Sequence, residues 1–188
     1  GGYRVSLDGN EQYEDVDGVL ELWHRMRAEP ALARLCGNVS FIEQPIKRQN
    51  ALSQNVSGLS AQKSVIIDES DDSLDAFLEA RQLGYTGVSS KTCKGIYKSL
   101  VNRARCLKWN REEAHDESVD PTRPRYQMSA EDLTIQAGLA LQQDLALVSL
   151  MGIHHVERNG HHYVNGMAGL PQAEQDAFLA AHPDLDHR

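Results

Sequence analysis

The sequence predicts an α/β fold: six strand-then-helix units with their strands parallel in one sheet, two units short of a closed eight-stranded barrel. Three observations predict it. Apolar, β-branched runs alternate along the chain with segments of helical period, the pattern of a sheet crossed over by helices. The strongest run, Val65-Ile66-Ile67-Asp68-Glu69-Ser70, has the composition of a strand covered on both faces and ends abruptly in two carboxylates and a hydroxyl. The same design recurs in Tyr3-Arg4-Val5-Ser6-Leu7-Asp8 and in Val39-Ser40-Phe41-Ile42-Glu43-Gln44-Pro45.

Three strand ends therefore present Asp8, Glu43 and Asp68, where parallel α/β sheets carry their functional groups. A single strand-end carboxylate is ordinarily a loop cap. Three from successive strands supply the oxygen ligands that Mg²⁺ takes, with positions left for water or substrate. Glu69 is either a substitute for Asp68 in that role or a carboxylate capping the loop.

Taken in order, Val16, Val19, Leu20, Leu22, Trp23 and Met26 recur with helical spacing after the first strand. A short second helix starts near Pro30, and Gly37 suits a left-handed C-terminus. Gln49 to Gln62 is weakly helical. Ser73 is a candidate N-cap for a helix carrying Leu74, Phe77, Leu78 and Leu83 and ending at Gly84. Thr86 to Cys93 forms the fourth strand, which makes Cys93 a core or barrel-lining residue, and a helix runs from Ile96 to about Trp109. Asn110 to Arg125 is charged, holds two prolines and has no apolar period, as expected of a surface excursion. Tyr126 to Ser129 is a strand closing in Glu131 and Asp132, both placed to cap the next helix. That helix, Thr134 to Met151, buries Leu139, Leu141, Leu145, Leu147 and Leu150. The last strand is His154 to Glu157, and Pro171 to Ala181 is a terminal helix.

The 188 residues show no linker at which to divide the barrel, so residues 1–166 form one domain and residues 167–188 a tail with a short helix. A net charge of −8 without a basic run argues against nucleic acid as a partner. No apolar stretch reaches the length of a membrane span and the N-terminus has no signal pattern, so the expected location is cytoplasmic. Three cysteines far apart do not make a disulfide framework. The histidines around Glu157 match no zinc spacing.

Four pieces, Asp8-Gly9-Asn10, Phe41-Ile42-Glu43-Gln44-Pro45, Asp68-Glu69-Ser70 and Lys91-Thr92-Cys93-Lys94-Gly95, stand in this order one β/α unit apart. In them the chain resembles the C-terminal barrel of the enolase superfamily, in the mandelate racemase and muconate lactonizing enzyme group. The resemblance runs to about Tyr163. It implies strands three to eight of a TIM-type (β/α) barrel, with the first two strands and an N-terminal α+β capping domain absent. It also implies that Asp8, Glu43 and Asp68 bind Mg²⁺ and that Lys91 is a general base with a depressed pKa. The base removes a proton α to the carboxylate of a small substrate, through an enediolate that the metal stabilises. Elimination of the acid-sugar dehydratase kind, cycloisomerisation or epimerisation would follow.

Glu157 matches a strand-end glutamate that hydrogen-bonds substrate. Glu131 stands where the racemases carry a catalytic histidine, which speaks against a histidine-based mechanism and leaves Glu131 either a helix cap or the catalytic second base that racemisation would want. Lys94 matches the second lysine of the family's turn and is expected to point away from the site. The open sheet edges call for a missing N-terminal part of the same protein or for association into a homo-oligomer. The alternative to an enzyme is a non-catalytic truncated barrel serving folding or association.

Overall fold

A computed structural model describes residues 2–114, 125–131, 138–158, 163 and 165–183. Among them six strands lie in one parallel sheet in sequence order: β1 (Val5–Asp8), β2 (Val39–Glu43), β3 (Val65–Ile67), β4 (Gly87–Ser90), β5 (Gln127–Glu131) and β6 (Val156–Glu157). Each return to the sheet is made through helix: α1 (Val16–Ala28) and α2 (Ala33–Asn38), the short α3 (Arg48–Ala51) and α4 (Ser57–Ser60), α5 (Ala76–Gln82), α6 (Ile96–Glu113) and α7 (Leu139–Met151). A terminal helix, α8 (Gln172–Ala181), follows. This is a partial α/β barrel, as the strand pattern predicts.

Strand alternation divides the sheet into two faces. Ile42, Val65, Ile67, Val88, Met128 and Ala130 join the helices in the main core, together with Trp23, Phe77 and Trp109. The alternate residues Phe41, Ile66, Ser89, Ser129 and His155 stand on the other face, where His155 packs edge-on to Phe41 at 4.9 Å and shares a 2.7 Å hydrogen bond with Ser129. Continuing that parity one step toward the strand ends gives Asp8, Glu43, Asp68, Lys91, Glu131 and Glu157. The register agrees, since Asp8 pairs with Glu43 across β1 and β2 and Glu131 with Glu157 across β5 and β6.

Local chemistry sets the element ends. Asp15 caps α1 by accepting from Gly18 N at 3.1 Å, and Ser73 accepts from Ala76 N at the start of α5. Gly84, after α5, adopts φ +95°, which permits the tight return into β4.

Four expectations need correction. Gly37 lies inside α2 without a left-handed φ, because the chain enters β2 directly through Val39 at φ −63°. β4 ends at Ser90 and a 3-10 turn, Thr92–Lys94, follows, so Cys93 is exposed and lines nothing. α6 continues to Glu113, because Trp109 packs between Phe77 and Tyr126 while Asn110 bonds both backbone groups of Tyr126, which prolongs the helix past its apolar period.

The fourth concerns α7, which buries Asp144, Leu147, Val148 and Met151 while Leu139 and Leu150 are 68% and 73% exposed. A helix apolar nearly all round carries no stripe to mark its inner face, and contacts from neighbouring loops choose it. Asp132, Thr134, His161 and His162 lie outside the described residues.

Candidate active site

Strand parity and a common strand polarity bring all six site candidates to one edge of the sheet. The best-defined cluster is cationic and anionic at once. Lys91 Nζ lies 2.6 Å from Asp68 Oδ2 and 2.5 Å from Glu131 Oε2. Lys94 Nζ lies 2.6 Å from Asp68 Oδ1 and also donates to the main-chain oxygens of Asp68 and Ser89, at 2.7 and 3.0 Å. Lys94 therefore points into the site, contrary to expectation. The 3-10 turn folds it back beneath Lys91, and its three donors tie the ends of β3 and β4 together.

Gln44 has the same effect from the other side and was given no role by the sequence reading, although it stands in the strand-end motif with Glu43. Its Oε1 accepts from the amides of Asp68 (2.8 Å) and Ser70 (3.1 Å), and its Nε2 donates to Ile46 O (2.8 Å) and Ser70 Oγ (2.7 Å). All four bonds are buried, and the backbone pays with φ +29° at a non-glycine residue. Its position directly after Glu43, before a proline that ends the strand, was the only available signal.

Glu43 is buried and its Oε2 has no hydrogen-bond partner. Burial first, and then the charges of Asp68, Asp8 and Glu157, push its carboxyl up to about 8. Burial, outweighing a hydrogen bond from Asn10 N, also raises Asp8. Glu69 is pushed up to about 7 by burial and by the Asp68 charge.

Lys91 is raised as well: burial pulls it down, but hydrogen bonds to Asp68 and Glu131 outweigh that. This overturns the expected depressed lysine. As arranged, Lys91 carries its proton, and it becomes a base only after its two carboxylate partners are otherwise engaged. His155, behind the charged edge, is lowered chiefly by burial.

No family model and no curated protein matches the chain. Solved structures do. A mandelate racemase/muconate lactonizing protein from Herpetosiphon aurantiacus matches with TM-score 0.62 at 19% identity, over 85% of this chain and 40% of that one. A member of the enolase superfamily from Enterococcus faecalis V583 matches with TM-score 0.60 at 16% identity, over 86% and 38%. An O-succinylbenzoate synthase from Thermosynechococcus elongatus BP-1, solved with Mg in its active site, matches with TM-score 0.58 at 15% identity, over 96% and 51%. The chain shares the fold of the part of these structures that it covers, a partial α/β barrel. The chain spans about half the length, or less, of these similar structures.

In this partial barrel the carboxylates at the strand ends offer oxygen donors, the chemistry a hard cation takes. The orphaned Glu43 Oε2 and the raised carboxyls of Glu43 and Asp8 lack positive charge, so these two residues fit such an ion. Asp68 is the exception, with one oxygen on each lysine. Among the described residues no three His, Cys, Asp or Glu side chains close into a metal-ligating group. No helix among the described residues is long and apolar enough to cross a membrane.

Proposed function

We propose that the chain is the metal-binding and proton-abstracting part of an enzyme that removes the proton α to a carboxylate, with Mg²⁺ held by Asp8, Glu43 and Asp68. The observation that carries this reading is the convergence of Asp8, Glu43, Asp68, Lys91 and Glu131 on one edge of an enolase-type half-barrel, with Lys91 in contact with both Asp68 and Glu131. A similar structure with Mg in its active site supports the choice of cation.

When bound, the ion supplies Lewis-acid stabilisation of charge developing on the substrate carboxylate. Lys91 is the base once it has given up its own proton, and Glu131 orients its side chain. Glu157, opposite Glu131 in the β5–β6 register, offers a hydrogen bond to the substrate. The outcome is elimination, as in dehydration of an acid sugar, cycloisomerisation or epimerisation. The substrate is a small carboxylate and the location cytoplasmic, and either a further N-terminal part or a second copy of the chain completes the barrel.

A second reading, a half-barrel that serves folding or association without turnover, is favoured by one observation: both oxygens of Asp68 are taken by ammonium groups. Thermal unfolding with and without millimolar Mg²⁺ separates the two. A ligand at tenfold excess over Kd adds about 1.4 kcal/mol to the folded state. The catalytic reading requires Mg²⁺ to raise the wild-type midpoint and leave Asp68→Asn unmoved, with α-proton exchange into carboxylates in D₂O as the next readout. An equal lack of response in both proteins favours the second reading.

A further inference from the structure

Asp144 is a carboxylate at 1% exposure on α7, a helix whose other buried residues are apolar. Burying a charge is costly unless it is paired and hydrogen-bonded, and both its oxygens are. Oδ1 accepts from Thr92 Oγ1 at 2.8 Å, and Oδ2 from Arg158 Nη1 at 2.7 Å. These partners belong to different loops. Thr92 is the residue after Lys91 and opens the turn that ends in Lys94. Arg158 is the residue after Glu157, at the end of β6. Because α7 connects β5 to β6, one side chain grips the strand-end segments on both sides of the strand that carries Glu131.

We infer that Asp144 is a positioning residue that holds the Lys91–Lys94 turn and the Glu157–Arg158 segment at fixed places on either side of Glu131. It touches no reacting atom and acts through Thr92 and Arg158. The Thr92 hydroxyl limits rotation of the backbone on which Lys91 is mounted. With both ends of the turn held, one by Asp144 and the other by Lys94 on Asp68, Lys91 keeps its position between Asp68 and Glu131. The consequence for proton abstraction rests on the reading of Lys91 as the base; the consequence for the lysine's surroundings does not.

The test reads the lysines directly. The 188-residue chain and its Thr92→Val, Thr92→Ser and Asp144→Asn variants are labelled with trace acetic anhydride, and acetylation of each lysine is quantified by peptide mass spectrometry. Lys108, an exposed lysine, normalises reagent. Lys98, a shielded lysine paired with Asp71, reports general loosening.

The expected result is a rise of threefold or more in Lys91 labelling relative to Lys108 in Thr92→Val and Asp144→Asn, with Lys98 unchanged and Thr92→Ser at the wild-type level. Unchanged Lys91 labelling in Thr92→Val overturns the inference, as does a rise matched by Lys98, since both leave Asp144 a structural role only. Thr92→Val keeps the test decisive if Asp144→Asn does not fold. Failure of the catalytic reading is told apart by the wild-type midpoint, which then does not respond to Mg²⁺ whatever the labelling shows.

Discussion

Lys91 Nζ stands 2.6 Å from Asp68 Oδ2 with both side chains almost wholly out of water, and Glu131 closes on the same ammonium. Removing one partner of such a pair leaves a buried charge uncompensated. Lys91→Met and Asp68→Asn are each expected to lower unfolding free energy by about 3 kcal/mol in urea titrations. The double variant should lose clearly less than the sum, because the second change relieves what the first stranded. Additive losses would show that the two charges are independently solvated.

The Glu43 carboxyl gives stability a pH dependence of defined sign. Its folded pKa, about 8, exceeds the ordinary 4.5, so between these values the folded state holds a proton that the unfolded chain has released. Its contribution is complete below about pH 4.5 and lost as pH rises toward 8, with a slope of at most about 1.4 kcal/mol per pH unit for one proton. Glu43→Gln removes that contribution. Chemical denaturation from pH 5 to 8 should give a flatter profile for the variant, and parallel profiles would rule the assignment out.

Gln44 holds the Asp68 and Ser70 amides through one oxygen. Gln44→Leu leaves both buried amides without an acceptor, at a cost of about 2–4 kcal/mol. Hydrogen exchange at Asp68 and Ser70 should accelerate well beyond that at Val88 in β4. Uniform acceleration would instead mean that the whole sheet has loosened.

Two glycines have opposite expectations. At Gly84 an added Cβ meets Ser57 Oγ at 2.4 Å and Ser57 N at 2.7 Å, with φ at +95°, so Gly84→Ala should cost about 2 kcal/mol or more. At Gly37 nothing lies within 4 Å and the backbone is helical, so Gly37→Ala should gain about 0.5–1 kcal/mol. Thermal midpoints moving in opposite directions check both.

Much of the sheet was legible because its signals are local. Val65-Ile66-Ile67 needs no partner to look like a buried strand, and each strand's parity shows which terminal residue shares a face with Phe41 or Ile66. Lys94, Gln44 and Asp144 were not legible in these roles. Each acts on a residue 26, 24 or 52 positions away, and no periodicity records such a contact. The inner face of α7 was missed for a related reason, since Leu139 and Leu150 carry as strong an apolar signal as Leu147 and only the loops packed on Asp144 distinguish them.

The amino-acid order alone decided that six strands run parallel and that Asp8, Glu43, Asp68, Lys91, Glu131 and Glu157 stand at their C-terminal ends, because β-propensity and alternation are properties of a few consecutive residues. The tertiary structure decided which of those charges meet. It placed Lys91 between Asp68 and Glu131, turned Lys94 inward and left Glu43 Oε2 without a partner. Proton affinity follows from those separations and from exclusion of water, and both are set only when distant segments pack together.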